Sequence, residues 1–149
     1  MKSNGISIRP MVREDAPAVA RLATQLGYPS SVDQIERRWG ALRSSDSEAL
    51  VAVGPDGDVL GWIHVFETHM LESDPVAEIG GLVVDERARG RGIGAMLVVG
   101  AEAWAAGREF SAVTVRSNVI RKEAHAFYQK LGYDAQKSQV KFRKILPSP

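Results

Sequence analysis

Residues 77–104, AEIGGLVVDERARGRGIGAMLVVGAEAW, run from an apolar stretch through a basic, glycine-spaced turn into an amphipathic stretch. Few folds accommodate that order. Residues 78–84 are apolar and β-branched enough for a buried strand. Beyond the turn, Ile93, Leu97, Ala101 and Trp104 recur on one face of a helix that reaches about Ala106. Between the two lies Arg87-Ala88-Arg89-Gly90-Arg91-Gly92-Ile93-Gly94. Such a turn suits an anion. The first helical N–H groups have no intrahelical partner and sit at the positive end of the helix dipole. Glycines let a phosphate approach that backbone unobstructed.

Three phosphate-binding patterns can be weighed against it. The P-loop pattern G-x-x-x-x-G-K-[ST] is absent, because no Lys-Ser or Lys-Thr follows the glycines. Gly90-Arg91-Gly92-Ile93-Gly94-Ala95 satisfies the dinucleotide pattern G-x-G-x-x-A, with Arg116 as a 2′-phosphate partner. A dinucleotide domain, however, needs several further strand–helix units, and after this one only strand five, one helix and one closing strand follow. Third, Arg89-x-x-Gly92-x-Gly94 after Leu82-Val83-Val84 resembles the acyl-CoA-binding motif R/Q-x-x-G-x-G/A of the GNAT superfamily of N-acyltransferases. Downstream, SNVIRKEAHAFYQKLGY (residues 117–133) is similar to that family's N…A…FY…LG[FY] segment. With two motifs in the right order, the chain is identified as a member of that superfamily.

The chain has 149 residues, a length that suits one domain, taken as 1–149. A net charge of +1 without any basic run argues against a dedicated nucleic-acid or membrane-surface binder. Cysteine is absent, which excludes disulfides, thiolate metal sites and a cysteine nucleophile, and fits a cytoplasmic protein. The opening MKSNGISIRP lacks the apolar core of a signal peptide, and no apolar run approaches membrane-spanning length.

Residues 6–10 alternate as a first strand. Asp15 is expected to cap a helix over 16–26, which Gly27-Tyr28-Pro29 ends. Ser31-Val32-Asp33-Gln34 is a capping-box pattern opening a second helix, with Ile35, Trp39 and Leu42 as its apolar stripe. Residues 50–53 and 59–67 read as a hairpin around Pro55-Asp56-Gly57. Residues 68–75 read as a polar loop. Strand four (78–84) and the third helix follow, then strand five (111–116), a fourth helix over 120–131 stopped by Gly132, and a last strand over 140–146. A helical crossover makes strands four and five parallel. The expected fold is a single α+β domain with four helices and a mixed sheet. The resemblance adds that strands four and five splay around acyl-CoA, that the first two helices cover the acceptor side, and that the usual C-terminal hairpin is abbreviated here.

The resemblance also implies a function: transfer of an acetyl group from acetyl-CoA, as cosubstrate and without a metal, directly to a primary amine of a small molecule. It assigns the thioester to backbone groups of Leu82, Val83 and Val84, with Asn118 beside the pantetheine. The diphosphate falls to the amides of Arg89, Gly90, Arg91, Gly92, Ile93, Gly94 and Ala95, aided by arginines including Arg121. Tyr128, from the FY pair, is the expected proton donor to the leaving thiolate, since a phenol with a pKa near 10 stays protonated at pH 7. Glu78 resembles the family's base on strand four. Gly80-Gly81 invites a β-bulge that would shift strand parity, so alternation does not settle whether Glu78 shares a side with Leu82. A water relay or Glu67 is the alternative base, with His69 a remoter one. His64, His69 and His125 lack metal-ligand spacing. Without cysteine, a ternary complex is expected rather than a covalent cysteine intermediate. A protein acetyltransferase and a non-catalytic acyl-CoA binder are the rival readings. A homodimer is suggested by resemblance alone.

Overall fold

In a computed structural model that describes residues 2–3, 5–117 and 121–149, the helices begin and end where local chemistry dictates. Helix α1 (Ala16–Leu26) carries Pro17 in its first turn and stops at Gly27, whose φ of 103° is open to glycine at no steric cost. Helix α2 (Val32–Ala41) begins with the capping box: Gln34 N donates to Ser31 Oγ at 3.1 Å, and Ser31 N donates to Gln34 Oε1 at 2.9 Å. Asp15 does not cap α1. Its carboxylate takes two bonds from Arg9, at 2.8 and 2.9 Å, and one from Val12 N at 2.8 Å. A guanidinium fork outbids the helix amides.

The chain divides into two compact units, Met1–Arg116 and Ser117–Pro149. In the first, the described residues form a six-stranded sheet in chain order: β1 (Lys2–Ser3), β2 (Ile6–Pro10), β3 (Ser47–Val53), β4 (Val59–Met70), β5 (Ser73–Val84) and β6 (Val113–Val115). The strands read as four and five are β5 and β6. They are parallel, as expected, with Ala77 opposite Val113, Glu78 opposite Thr114 and Ile79 opposite Val115. All other pairings are antiparallel. Gly54 N donates to Asp58 O at 2.8 Å and Gly57 N to Gly54 O at 3.0 Å, closing the expected turn between β3 and β4.

The sheet is covered on both faces. Helices α1 and α2 bury Val19, Leu22, Ala23 and Ile35 against Val51, Val59 and Val83, with Trp39 and Trp62 packed at the margin. Helix α3 (Ile93–Gly107) covers the other face and buries Ile93, Met96, Leu97, Val98, Ala101 and Ala105. A Cβ on Gly100 of α3 would lie 3.0 Å from Leu50 Cδ1, so the helix rides close to the strands. Trp104 is only half-buried, with the Arg108 guanidinium 4.6 Å from its ring centre.

Two expected elements are corrected. Residues 68–75 are not a polar loop. Strand β4 runs to Met70 and β5 starts at Ser73, opposite it, leaving Leu71 and Glu72 as the turn. Pro75 sits before β6 joins the sheet, where its missing N–H costs least, and the register slips between Thr68 and Met70 nearby. Residues 140–146 are not a strand. No strand ladder includes them among the described residues, and Val140 and Phe142 are 76% and 89% exposed. Alternating composition makes a strand only where backbone partners exist. The second unit holds α4 (Lys122–Lys130), followed by Gly132 at φ 96°.

Candidate functional site: an uncapped helix end and a bulged strand

At the end of β5 the chain makes a short 3₁₀ turn (Glu86–Ala88) and enters α3 through two glycines, Gly90 at φ 82° and Gly92 at φ 77°. Both φ values lie in the left-handed region that side chains rarely enter. Among the described residues, no atom lies within 4 Å of where a Cβ would stand on either. Gly92 is the N-cap and offers no side chain to the helix, and the first turn holds no acid. The first intrahelical bond runs from Met96 N to Gly92 O at 3.1 Å. The amides of Ile93, Gly94 and Ala95 therefore lack intrahelical partners at a positive helix end. Arg89 and Arg91 are exposed beside them. Backbone arranged this way suits an anion. Arg87 is set apart: its guanidinium turns back to Asp85, with Nη2 3.1 Å from Oδ2.

Gly80 forms the bulge that its sequence invites. His64 pairs with Gly81 while Val65 pairs with Ile79, so Gly80 is the extra residue. The consequence is a parity change. Glu78 pairs with Phe66 and Leu82 with Ile63, which puts Glu78 and Leu82 on opposite faces. Glu78 lies on the α1–α2 face with Trp62, His64 and Phe66, and Leu82 on the α3 face. Pairing with β6 ends at Ile79, so beyond the bulge β5 has no β6 partner. The glycines also make room for rings. A Cβ on Gly80 would fall 2.7 Å from Phe66 Cε1, and one on Gly81 would fall 2.9 Å from Trp62 Cζ3.

Glu78 is not a water-exposed edge residue, since its side chain is 15% exposed. Arg116 Nε lies 3.6 Å from its Oε2, and Thr114 Oγ1 lies 3.4 Å from Oε1. Arg116 thus engages this carboxylate rather than standing free for a 2′-phosphate. Glu67 pairs with Ala77, which puts it on the α3 face, with Arg108 Nη1 3.9 Å and His69 Nε2 3.3 Å from its carboxylate.

His64 carries a signal that sequence reasoning missed. Its ring packs on Phe66 at 5.2 Å, its Nε2 is buried without a hydrogen-bond partner among the described residues, and burial pushes its pKa below the usual 6.5. With Phe66, Asp46 and Ser47 it lines an open hollow of about 400 Å³ beside the end of α2. Alternation of Trp62, His64 and Phe66 against Ile63 and Val65 was the available clue.

In the second unit, Tyr128 on α4 is half-buried, edge-on to Phe127 at 5.1 Å and Tyr133 at 5.8 Å. Burial raises its phenol pKa above 10, with Arg121 pulling slightly the other way. Arg121 and Lys122 line an open hollow of about 390 Å³ at the start of the same helix. Asn118 lies outside the described residues. Among the described residues no group of three or more His, Asp or Glu could hold a metal ion, and no helix is long and apolar enough to cross a membrane.

Comparison with known proteins adds independent findings. The sequence model of the acetyltransferase (GNAT) family matches residues 13–133, across the boundary between the two units. An aminoalkylphosphonate N-acetyltransferase from Salmonella typhimurium is 35% identical over 94 residues, 61% of this chain and 58% of that protein. An aminoglycoside N(6′)-acetyltransferase from Klebsiella aerogenes is 39% identical over 82 residues, 51% of this chain and 54% of the relative. The alignments thus span a little over half the length of these relatives. The crystal structure of an aminoglycoside antibiotic 6′-N-acetyltransferase from Acinetobacter baumannii superposes with a TM-score of 0.82 at 19% identity, over 96% of this chain and all of that one.

Proposed function

Because the chain belongs to the GNAT family of acetyltransferases, we propose that it carries acetyl from acetyl-CoA directly to the primary amine of a small molecule, in a ternary complex, with residues 1–149 acting as one catalytic domain. The observation that carries the donor half of this reading is the uncapped end of α3. Three amides without intrahelical partners, two left-handed glycines and two exposed arginines suit the charge of a diphosphate. By resemblance, Arg121 is assigned to the diphosphate and Asn118 to the pantetheine.

The acceptor half rests on chemistry and on relatives. Both N-acetyltransferases above are named for small amines. The thioester, when bound, supplies an activated acyl carbon and a thiol leaving group. Backbone groups of Leu82, Val83 and Val84, beyond the bulge and without a β6 partner, would hold it. Glu78, on the α1–α2 face, would take the proton the amine sheds as its nitrogen bonds to the acyl carbon, directly or through water. Tyr128 would give its phenolic proton to the sulfur as the carbon–sulfur bond breaks. A phenol whose pKa is raised by burial is protonated at pH 7, as that role requires. The absence of cysteine leaves no thiol to carry the acetyl group, which supports direct transfer.

A panel of small amines with acetyl-CoA, followed by thiol release, tests the reading. Turnover should appear on at least one amine and fall on the order of 10²-fold in Tyr128→Phe. Coenzyme binding with no turnover on any amine would favour a non-catalytic binder.

A further inference from the structure

Asp85 is buried completely, yet neither the anion-binding turn nor the transfer chemistry calls on it. Its carboxylate is saturated. Oδ2 takes bonds from Arg21 Nη1 at 2.9 Å and Arg87 Nη2 at 3.1 Å. Oδ1 takes Arg87 N at 3.1 Å, and Gln25 Nε2 and Arg87 Nε at 3.4 Å. Its backbone is tied as well, with Asp85 N donating to Leu60 O at 2.7 Å and Ala88 N to Asp85 O at 2.8 Å. Gln25 closes the circuit by accepting Glu86 N at 3.0 Å. Arg21 and Gln25 belong to α1, which covers the opposite face of the sheet from α3.

We propose that Asp85, clamped by Arg21 and Gln25 of α1, is a positioning residue for the donor site: it fixes the 3₁₀ turn so that Arg89 to Ala95 present their amides at one place. This rests on the reading of that turn as the acyl-CoA diphosphate site. What the clamp supplies is rigidity. Gly90 and Gly92 give the turn the freedom an open amide cradle needs, and that freedom would let the amides scatter. A flexible cradle binds weakly because ordering it is charged against affinity. The buried carboxylate removes the freedom on the strand side, three residues before Ala88. The Arg87 guanidinium, with Arg21 behind it, holds it well below the usual carboxylate range, so the clamp stays ionised across physiological pH. One consequence is non-local. A side chain on α1, on the acceptor-covering side and some sixty residues from the turn in sequence, sets donor affinity.

The test compares wild type, Gln25→Met and Asp85→Asn by calorimetric titration with coenzyme A, and by KM for acetyl-CoA and for the acceptor. Gln25→Met keeps length and packing but removes both polar contacts, so coenzyme affinity should fall about 2- to 10-fold. Asp85→Asn, which leaves two guanidiniums facing a neutral amide, should lower it further. In both, kcat at saturating donor and KM for the acceptor should stay within about twofold, because uniform donor binding alone is weakened. A merely structural clamp would instead lower Tm and depress all constants together. Folded Gln25→Met protein with wild-type coenzyme affinity overturns the proposal, even if Asp85→Asn does not fold. A wild-type protein that binds no coenzyme A overturns the functional reading, and the proposal with it.

Discussion

Replacing Gly92 with alanine isolates the backbone of the glycine turn before α3 from every side-chain effect. Gly92 holds φ at 77°, where an L-residue costs roughly 1–2 kcal/mol. No atom of the described residues lies within 4 Å of the new Cβ, so the penalty is conformational. At about 2.1 cal/mol/K of unfolding entropy per residue, a 149-residue chain should lose roughly 3–6 °C in Tm if the turn keeps its shape. If Gly92→Ala instead relaxes to negative φ, Tm is spared, but the amides of Ile93, Gly94 and Ala95 swing away and coenzyme A affinity falls about tenfold or more. Gly107→Ala is the control. It ends α3 without a positive φ and equally in open space, so alanine should raise Tm by up to about 3 °C through helix propensity. Calorimetric melts and coenzyme titrations on both variants decide the matter. Gly92→Ala with both Tm and affinity unchanged would refute the idea that this glycine is needed for its left-handed turn.

Two further outcomes follow from the bulge and the ring row above it. Gly80→Ala places a Cβ 2.7 Å from Phe66 Cε1 and 3.3 Å from His64 Nδ1, so the rings must move, at a cost of about 1–3 kcal/mol in denaturant melts. A neutral substitution there would mean that the rings are not held over the bulge. His64 is neutral in the folded protein below the pH at which it would protonate in the unfolded chain. As pH falls through about 6.5, the unfolded state takes up a proton the native state refuses, and stability drops. The charged groups around it are Asp46, Arg43 and Glu67 at the hollow and Glu78, paired with Arg116, on the same face of β5. His64→Gln should therefore flatten the dependence of Tm on pH between about 5 and 6.5, and an unaltered slope would assign it to another group.

The legible parts of this molecule have causes confined to a few neighbouring residues. Ser31 and Gln34 form their box, Gly27 and Gly132 stop helices, and Pro55-Asp56-Gly57 turns a hairpin because each needs only its own turn of chain. The glycine turn before α3 and the bulge at Gly80 belong to the same class. What sequence could not show is settled by partners far along the chain. Asp15 meets Arg9 across a strand end and is lost to α1 as a cap. Asp85 is another unmarked aspartate until α1 folds over it. The side on which Glu78 emerges depends on a one-residue slip against β4, and residues 140–146 alternate without acquiring a ladder. Alternation places His64 with Trp62 and Phe66, but that its ring nitrogen finds no partner among the described residues emerges only once the strands pair.

On the proposed function, bare amides at the start of α3 grip the coenzyme diphosphate. Titrating coenzyme A into ¹⁵N-labelled protein and following backbone amide resonances tests it directly. Those of Ile93, Gly94 and Ala95, with Gly90 and Gly92, should show the largest saturable shifts, with the proton resonances moving downfield as the N–H groups gain acceptors. Saturable binding that leaves these amides unmoved, or no binding at all, would contradict the account.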